Sequence, residues 1–141
     1  MTTVLNPYLA FERDAREAMN FYHGVFGGDL VVTTFAEGGM AHDPEDAARI
    51  MHSQLTTADG HTIMASDTPS TTEPLPRGQQ ISISGDDPET LTRYWEALCD
   101  GAHVDAPLER APWSDTFGML VDRWGVTWMV SIASDAARSD A

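Results

Sequence analysis

Residues 112–132 read PWSDTFGMLVDRWGVTWMVSI, and their reading decides the fold. Two runs of β-forming residues flank the turn Asp122-Arg123-Trp124-Gly125: Phe117, Leu120 and Val121 before it, and Val126, Thr127, Trp128, Val130 and Ile132 after it. Read with a period of two, the second run places Val126, Trp128, Val130 and Ile132 on one face and Thr127, Met129 and Ser131 on the other. The apolar face is expected to pack on a helix. The mixed face, polar but hardly charged, is expected to line a cavity.

The same pattern occurs earlier in the chain. Gly60-His61-Thr62-Ile63-Met64-Ala65-Ser66 matches Gly125-Val126-Thr127-Trp128-Met129-Val130-Ser131, 65 residues later, with Gly, Thr, Met and Ser shared. Phe21-Tyr22 lies over Tyr94-Trp95 at an offset of 73, and a longer loop around Gly38 to Arg49 absorbs the difference. Each half reads strand, helix, strand, strand, strand, so the chain is an internal duplication.

Taken in order, Asn6 to Phe11 reads as a strand. Asp14 and Glu17 form a capping box for a helix carrying Ala18, Phe21, Tyr22, Val25 and Phe26, which Gly27-Gly28 ends. Strands follow at Leu30–Phe35, Met51–Thr57 and His61–Ser66. Asp43-Pro44 reads as the start of a helical turn, and Asp59-Gly60 as a two-residue hairpin. The second half has a strand at Gln80–Ser84 and a helix opened by Asp87-Pro88-Glu89, with Leu91, Tyr94, Trp95 and Leu98 as its apolar stripe. Gly101 ends that helix, His103–Leu108 is a strand, and the 112–132 hairpin closes the set. The expected fold class is α+β: two βαβββ modules forming cupped mixed sheets with helices on the outside. Module one covers about residues 4–67, a proline-bearing linker 68–79, and module two about 80–133. Together they make one domain over 1–133 with a flexible tail at 134–141.

Composition removes several function classes. The net charge is −14 and the chain has no Lys, so it lacks the basic stripe that replaces phosphate counterions on a nucleic acid. The same charge disfavours anionic membranes, and no apolar run reaches the roughly 20 residues of a membrane helix. A single cysteine, Cys99, excludes an intrachain disulfide and a thiolate metal cluster, and a cytoplasmic location is the default expectation. Cys99 is read in a helix's last turn beside Asp100, which should raise its pKa rather than activate it. There is no Gly-x-Ser-x-Gly elbow and no His pair at zinc-protease spacing. Gly24, Gly27 and Gly28 end a helix instead of opening one, so they make no phosphate loop.

The paired βαβββ pattern resembles the vicinal oxygen chelate superfamily, the glyoxalase and bleomycin-resistance fold, and within it the PhnB-like branch. The residues that carry the likeness are Tyr8-Leu9-Ala10-Phe11, Ala18 with Phe21-Tyr22 and Val25 to Gly28, Met51-His52, Ser66-Asp67, and Trp113 through Asp122-Arg123-Trp124-Gly125 to Trp128-Met129. The resemblance implies two cupped modules and a homodimer. It also implies a divalent-metal site with one ligand from the first and last strand of each module. Those positions here hold Asn6 or Pro7, Met64, Gln80 and Met129, which do not make a hard-metal site. No metal and no cofactor are therefore expected.

The cavity walls are read as Phe11, Met64, Trp113, Phe117, Met119 and Met129. His52 is the leading polar candidate, Asp67 is placed at the mouth, and Gln80 completes the ligand-binding set. Asp67 either pairs with His52 or caps the turn into Thr68-Pro69. Three functions remain open. The first is a small-molecule-binding homodimer with a degenerate metal site, its ligand a flat or amphipathic organic molecule. The second is a metal-dependent lyase, dioxygenase or resistance enzyme drawing ligands from His52, Gln80 and Asp67. In the third the same side chains fill the cup and the chain is an interaction module.

Overall fold

The computed structural model describes residues 6–39, 41, 44–68, 79–112 and 115–133. Asp43, Trp113, linker residues 69–78 and the tail at 134–141 lie outside these. The chain forms two compact units, Met1–Pro76 and Arg77–Ala141. Both are α+β, and both run strand, helix, strand, strand, strand.

The first unit holds β1 (Tyr8–Phe11), α1 (Ala15–Phe26), β2 (Asp29–Thr34), β3 (Ile50–Thr56) and β4 (Thr62–Asp67), with a 3₁₀ turn at Pro44–Asp46. Its sheet order is β1-β4-β3-β2, with β1 parallel to β4 and the other pairs antiparallel. Alternation sorts the side chains. Leu9, Phe11, Ser53, Leu55, Ile63, Ala65 and Asp67 are buried on the face that carries α1. Ala15, Ala18, Met19, Tyr22 and Phe26 of α1 are buried as well, at the spacing of one helical stripe.

The second unit holds β5 (Gln80–Gly85), α2 (Pro88–Leu98), β6 (His103–Arg110), β7 (Thr116–Val121) and β8 (Thr127–Ile132), in sheet order β5-β8-β7-β6. The pairing repeats that of the first unit, with β5 parallel to β8. Trp128, Val130 and Ile132 are buried against the side of α2, whose Leu91, Tyr94, Trp95 and Leu98 are buried in turn.

Local chemistry explains the boundaries, with two departures from expectation. The Asp14–Glu17 capping box does not form: Asp14 makes no side-chain cap bond. Asp67, at the end of β4, accepts from the Ala15 amide at 2.9 Å and from the Ile50 amide at 2.9 Å instead. It thus ties the first turn of α1 to the start of β3. The β3–β4 connection is also one residue longer than a two-residue hairpin. Thr57 and His61 close it (N···O 2.7 Å) around Ala58-Asp59-Gly60. The β7–β8 connection is built alike: Asp122 N donates to Val126 O at 2.9 Å and Gly125 N to Asp122 O at 3.0 Å. Gly60 and Gly125 take φ of +89° and +85°, a conformation that disfavours side chains bearing a Cβ. At α2 the expected cap is present, Asp87 accepting from the Thr90 amide at 3.3 Å and its hydroxyl at 2.7 Å. Among the described residues no helix is long and apolar enough to cross a membrane.

Candidate functional site

Each sheet has a second face, turned away from its helix. In the first unit the strand registers lay out one row across all four strands of that face: Tyr8 opposite Met64, Met64 opposite Gln54, Gln54 opposite Val31. Along the same face, two residues further on, stand Ala10, Ser66, His52 and Thr33. Met64, Ser66, His52 and Gln54 are half-buried, while Tyr8 is 51% and Val31 65% exposed. Tyr8 does more than occupy the edge. Its hydroxyl lies 3.3 Å from His52 Nδ1, and the two rings are 5.9 Å apart and tilted by 37°. Because β4 lies between β1 and β3, the phenol leans across it to reach the imidazole.

In the second unit the corresponding row is Ser82, Met129, Met119 and Ala106, followed by Ser84, Ser131, Phe117 and Glu109. Met129, Met119, Phe117 and Ser131 are half-buried. The registers fix how the halves correspond. Thr68 N donates to Phe11 O as Ala133 N donates to Gly85 O, both at 2.8 Å. Carried through the strands, this sets Asn6, not Pro7, against Gln80, Tyr8 against Ser82, and His52 against Phe117.

The residues singled out from sequence therefore divide. His52 and Met64 share the open face of the first unit, and Gln80, Phe117, Met119 and Met129 that of the second. Phe11 does not line an open face: it is buried on the α1 side, because β1 alternates and Leu9 takes the neighbouring core position. Asp67 is not at a mouth either, and among the described residues it does not pair with His52; its carboxylate is held by the Ala15 and Ile50 amides, while the turn into Thr68-Pro69 runs beyond the described residues. Trp113 lies outside the described residues. Tyr8 was missed. The signal was present in Tyr-Leu-Ala-Phe: an alternating strand sends Tyr8 and Phe11 to opposite faces, and Leu9 identifies which face is core.

The four metal positions implied by the resemblance now read Asn6, Met64, Gln80 and Met129, two carboxamides and two thioethers. That donor set does not suit a hard divalent cation. Among the described residues no three His, Cys, Asp or Glu side chains gather closely enough to hold a metal ion. Cys99 is not an activated nucleophile: burial pushes its thiol pKa up, and the charge of Glu96 pushes it further.

A family model described as 3-demethylubiquinone-9 3-methyltransferase matches residues 3–131. The chain belongs to that family, the PhnB-like family. Among solved structures, protein PA1353 from Pseudomonas aeruginosa is 34% identical with a TM-score of 0.78, covering 95% of this chain and 100% of that one. The PhnB protein from Bacillus cereus is 25% identical with a TM-score of 0.73, covering 93% and 100%. A member of the glyoxalase/bleomycin resistance protein/dioxygenase superfamily from Sphaerobacter thermophilus shares the fold at 18% identity, with a TM-score of 0.60 over 94% and 98%. The two βαβββ units of this PhnB-like chain are thus the glyoxalase/bleomycin-resistance α+β fold.

Proposed function

We propose that this chain is a small-molecule-binding protein that acts as a homodimer and takes a flat or amphipathic organic ligand without a divalent metal. One observation carries the reading. The two central strands of each open sheet face present thioethers, a ring, a hydroxyl and an amide, half-buried and uncharged: Met64, Gln54 and Ser66 in one unit, Met129, Met119 and Phe117 in the other, with exposed Val31 and charged Glu109 on the edge strands. Such surfaces are too apolar for hydrated ions, yet carry a few directed polar groups, the usual make-up of a small-molecule site. Methionine adapts its shape to a bound ring and gains from sulfur–aromatic contact. Support for the homodimer comes from the family resemblance.

Native mass spectrometry of freshly purified protein tests all three parts at once. The expected spectrum shows two subunits, no stoichiometric divalent ion, and an organic adduct that raises the melting temperature when added back. About one divalent ion per subunit, or a metal-dependent turnover, would overturn the reading in favour of a metal-dependent enzyme.

A further inference from the structure

Tyr8 and His52 have no counterpart in the second half of the duplication. At the equivalent places stand Ser82 and Phe117, while Met64 is matched by Met129 and Ser66 by Ser131. The ring pair also serves no core: Leu9 and Phe11 fill the buried side of β1, and Tyr8 stands half exposed on the other. A phenol is the stronger proton donor of the two groups and an unprotonated imidazole nitrogen the stronger acceptor. At 3.3 Å the hydroxyl is therefore placed to donate to Nδ1, which puts the imidazole proton on Nε2. His52 then offers an N–H donor on a face where Ser66 and Gln54 add a hydroxyl and an amide. No carboxylate stands in the rows of Tyr8 and of His52 on that face.

We propose that Tyr8 and His52 form the polar anchor of a ligand site on the open face of β1-β4-β3-β2, selective for a small aromatic molecule that presents an acceptor oxygen as a carboxylate or phenolate. His52 Nε2–H donates to that oxygen, and Tyr8 holds the tautomer and the ring orientation. Met64 lies between the strands bearing the two rings and gives an apolar bed for the ligand's ring. The inference rests on the binding reading above and adds which unit binds the oxygen and through which residues.

The test uses the full chain, benzoate as the probe, and aniline as a probe of similar size without oxygen. The histidine ring resonances of the parent and of Tyr8→Phe are followed by NMR, and benzoate affinity in every variant is read by isothermal titration calorimetry. Benzoate is expected to shift the His52 ring signals saturably, and aniline to leave them in place. His52→Phe, which copies the side chain at the equivalent place in the second unit, should weaken benzoate at least tenfold. Tyr8→Phe should weaken it severalfold, because the ring stays and only the tautomer-setting hydroxyl goes. His52→Gln, which keeps an N–H donor, should bind between the parent and His52→Phe. Benzoate binding that is unchanged in His52→Phe, or that shifts signals other than those of His52, overturns the anchor and leaves the binding reading standing. If benzoate produces no saturable shift, the anchor also falls. The binding reading is judged separately, by whether the co-purified molecule stabilises the parent chain.

Discussion

Asp67 and Asp122 are buried acids whose oxygens are committed to the protein itself. Asp67 gives one oxygen to the Ala15 amide and the other to the Ile50 amide. Asp122 takes the Trp124 and Val126 amides on one oxygen, at 2.9 and 3.0 Å, and the Trp128 indole N–H on the other at 3.0 Å. Removing either carboxylate leaves N–H groups unpaired inside the fold, at about 1–3 kcal/mol each. Asp67→Ala and Asp122→Ala should therefore each lower unfolding free energy by about 3 kcal/mol or more in urea titration. Asp122→Asn should fall between, because its amide nitrogen would point a donor at the Trp128 donor. Near-parental stability of both alanine variants would mean these acids do not hold the helix start and the hairpin together. The two sites also explain why a carboxylate next to a recognisable motif is a poor guide to chemistry. Asp67 adjoins the open face in sequence, yet strand alternation turns it to the other side.

The two helix starts look alike in sequence and are built differently. Asp87 caps α2 locally, and its pKa is lowered by the hydrogen bond from the Thr90 hydroxyl, then by the one from the Thr90 amide. A carboxyl depressed in the folded state stabilises above its unfolded pKa of about 3.9 and loses that contribution as pH falls through the folded value. Melting curves of the parent and Asp87→Ala should thus be separated by a constant amount from pH 7 down to about 4 and converge below it. A gap that persists in strong acid would assign the effect to packing instead. Asp14 shows the limit of local reading. Its spacing to Glu17 is that of a capping box, but the amide of Ala15 is taken by Asp67, 52 residues away, and nothing near Asp14 signals that. Element type and order were legible because period-two and helical stripes are local: β8 alternates as read, and α2 buries the four residues its stripe named. The candidate site was half legible. His52, Met64 and Met129 follow from alternation alone, whereas the Tyr8–His52 pair needs β4 to be inserted between β1 and β3. That is a matter of strand order, which no single stretch encodes.

At the scale of the whole chain, charge is the term that the duplication does not cancel. Residues 1–76 carry 11 acids against 3 arginines, and residues 77–141 carry 11 against 5. Each unit is therefore acidic on its own, and the net −14 is not the work of one segment. The described ion pairs do little to offset this. Arg49–Asp46 is 3.7 Å and largely buried, but Arg123–Asp100 at 3.6 Å is exposed, the kind of pair that contributes about 0–1 kcal/mol. Like charges brought together on folding repel over the Debye length, about 30 Å at 0.01 M salt and about 8 Å at 0.15 M. The first distance spans a small domain and the second does not. Raising sodium chloride from about 0.01 to 0.15 M should therefore increase the melting temperature, most of the gain coming before the Debye length drops below about 10 Å. Differential scanning calorimetry at fixed pH 7 measures it, with sodium chloride preferred to sulfate so that screening is not confused with salting-out of apolar surface. A melting temperature that stays level or falls over this range would show that local ion pairs outweigh self-repulsion. The acidic surface would then be electrostatically neutral in its effect on stability, and its excess of carboxylates would act on solubility alone.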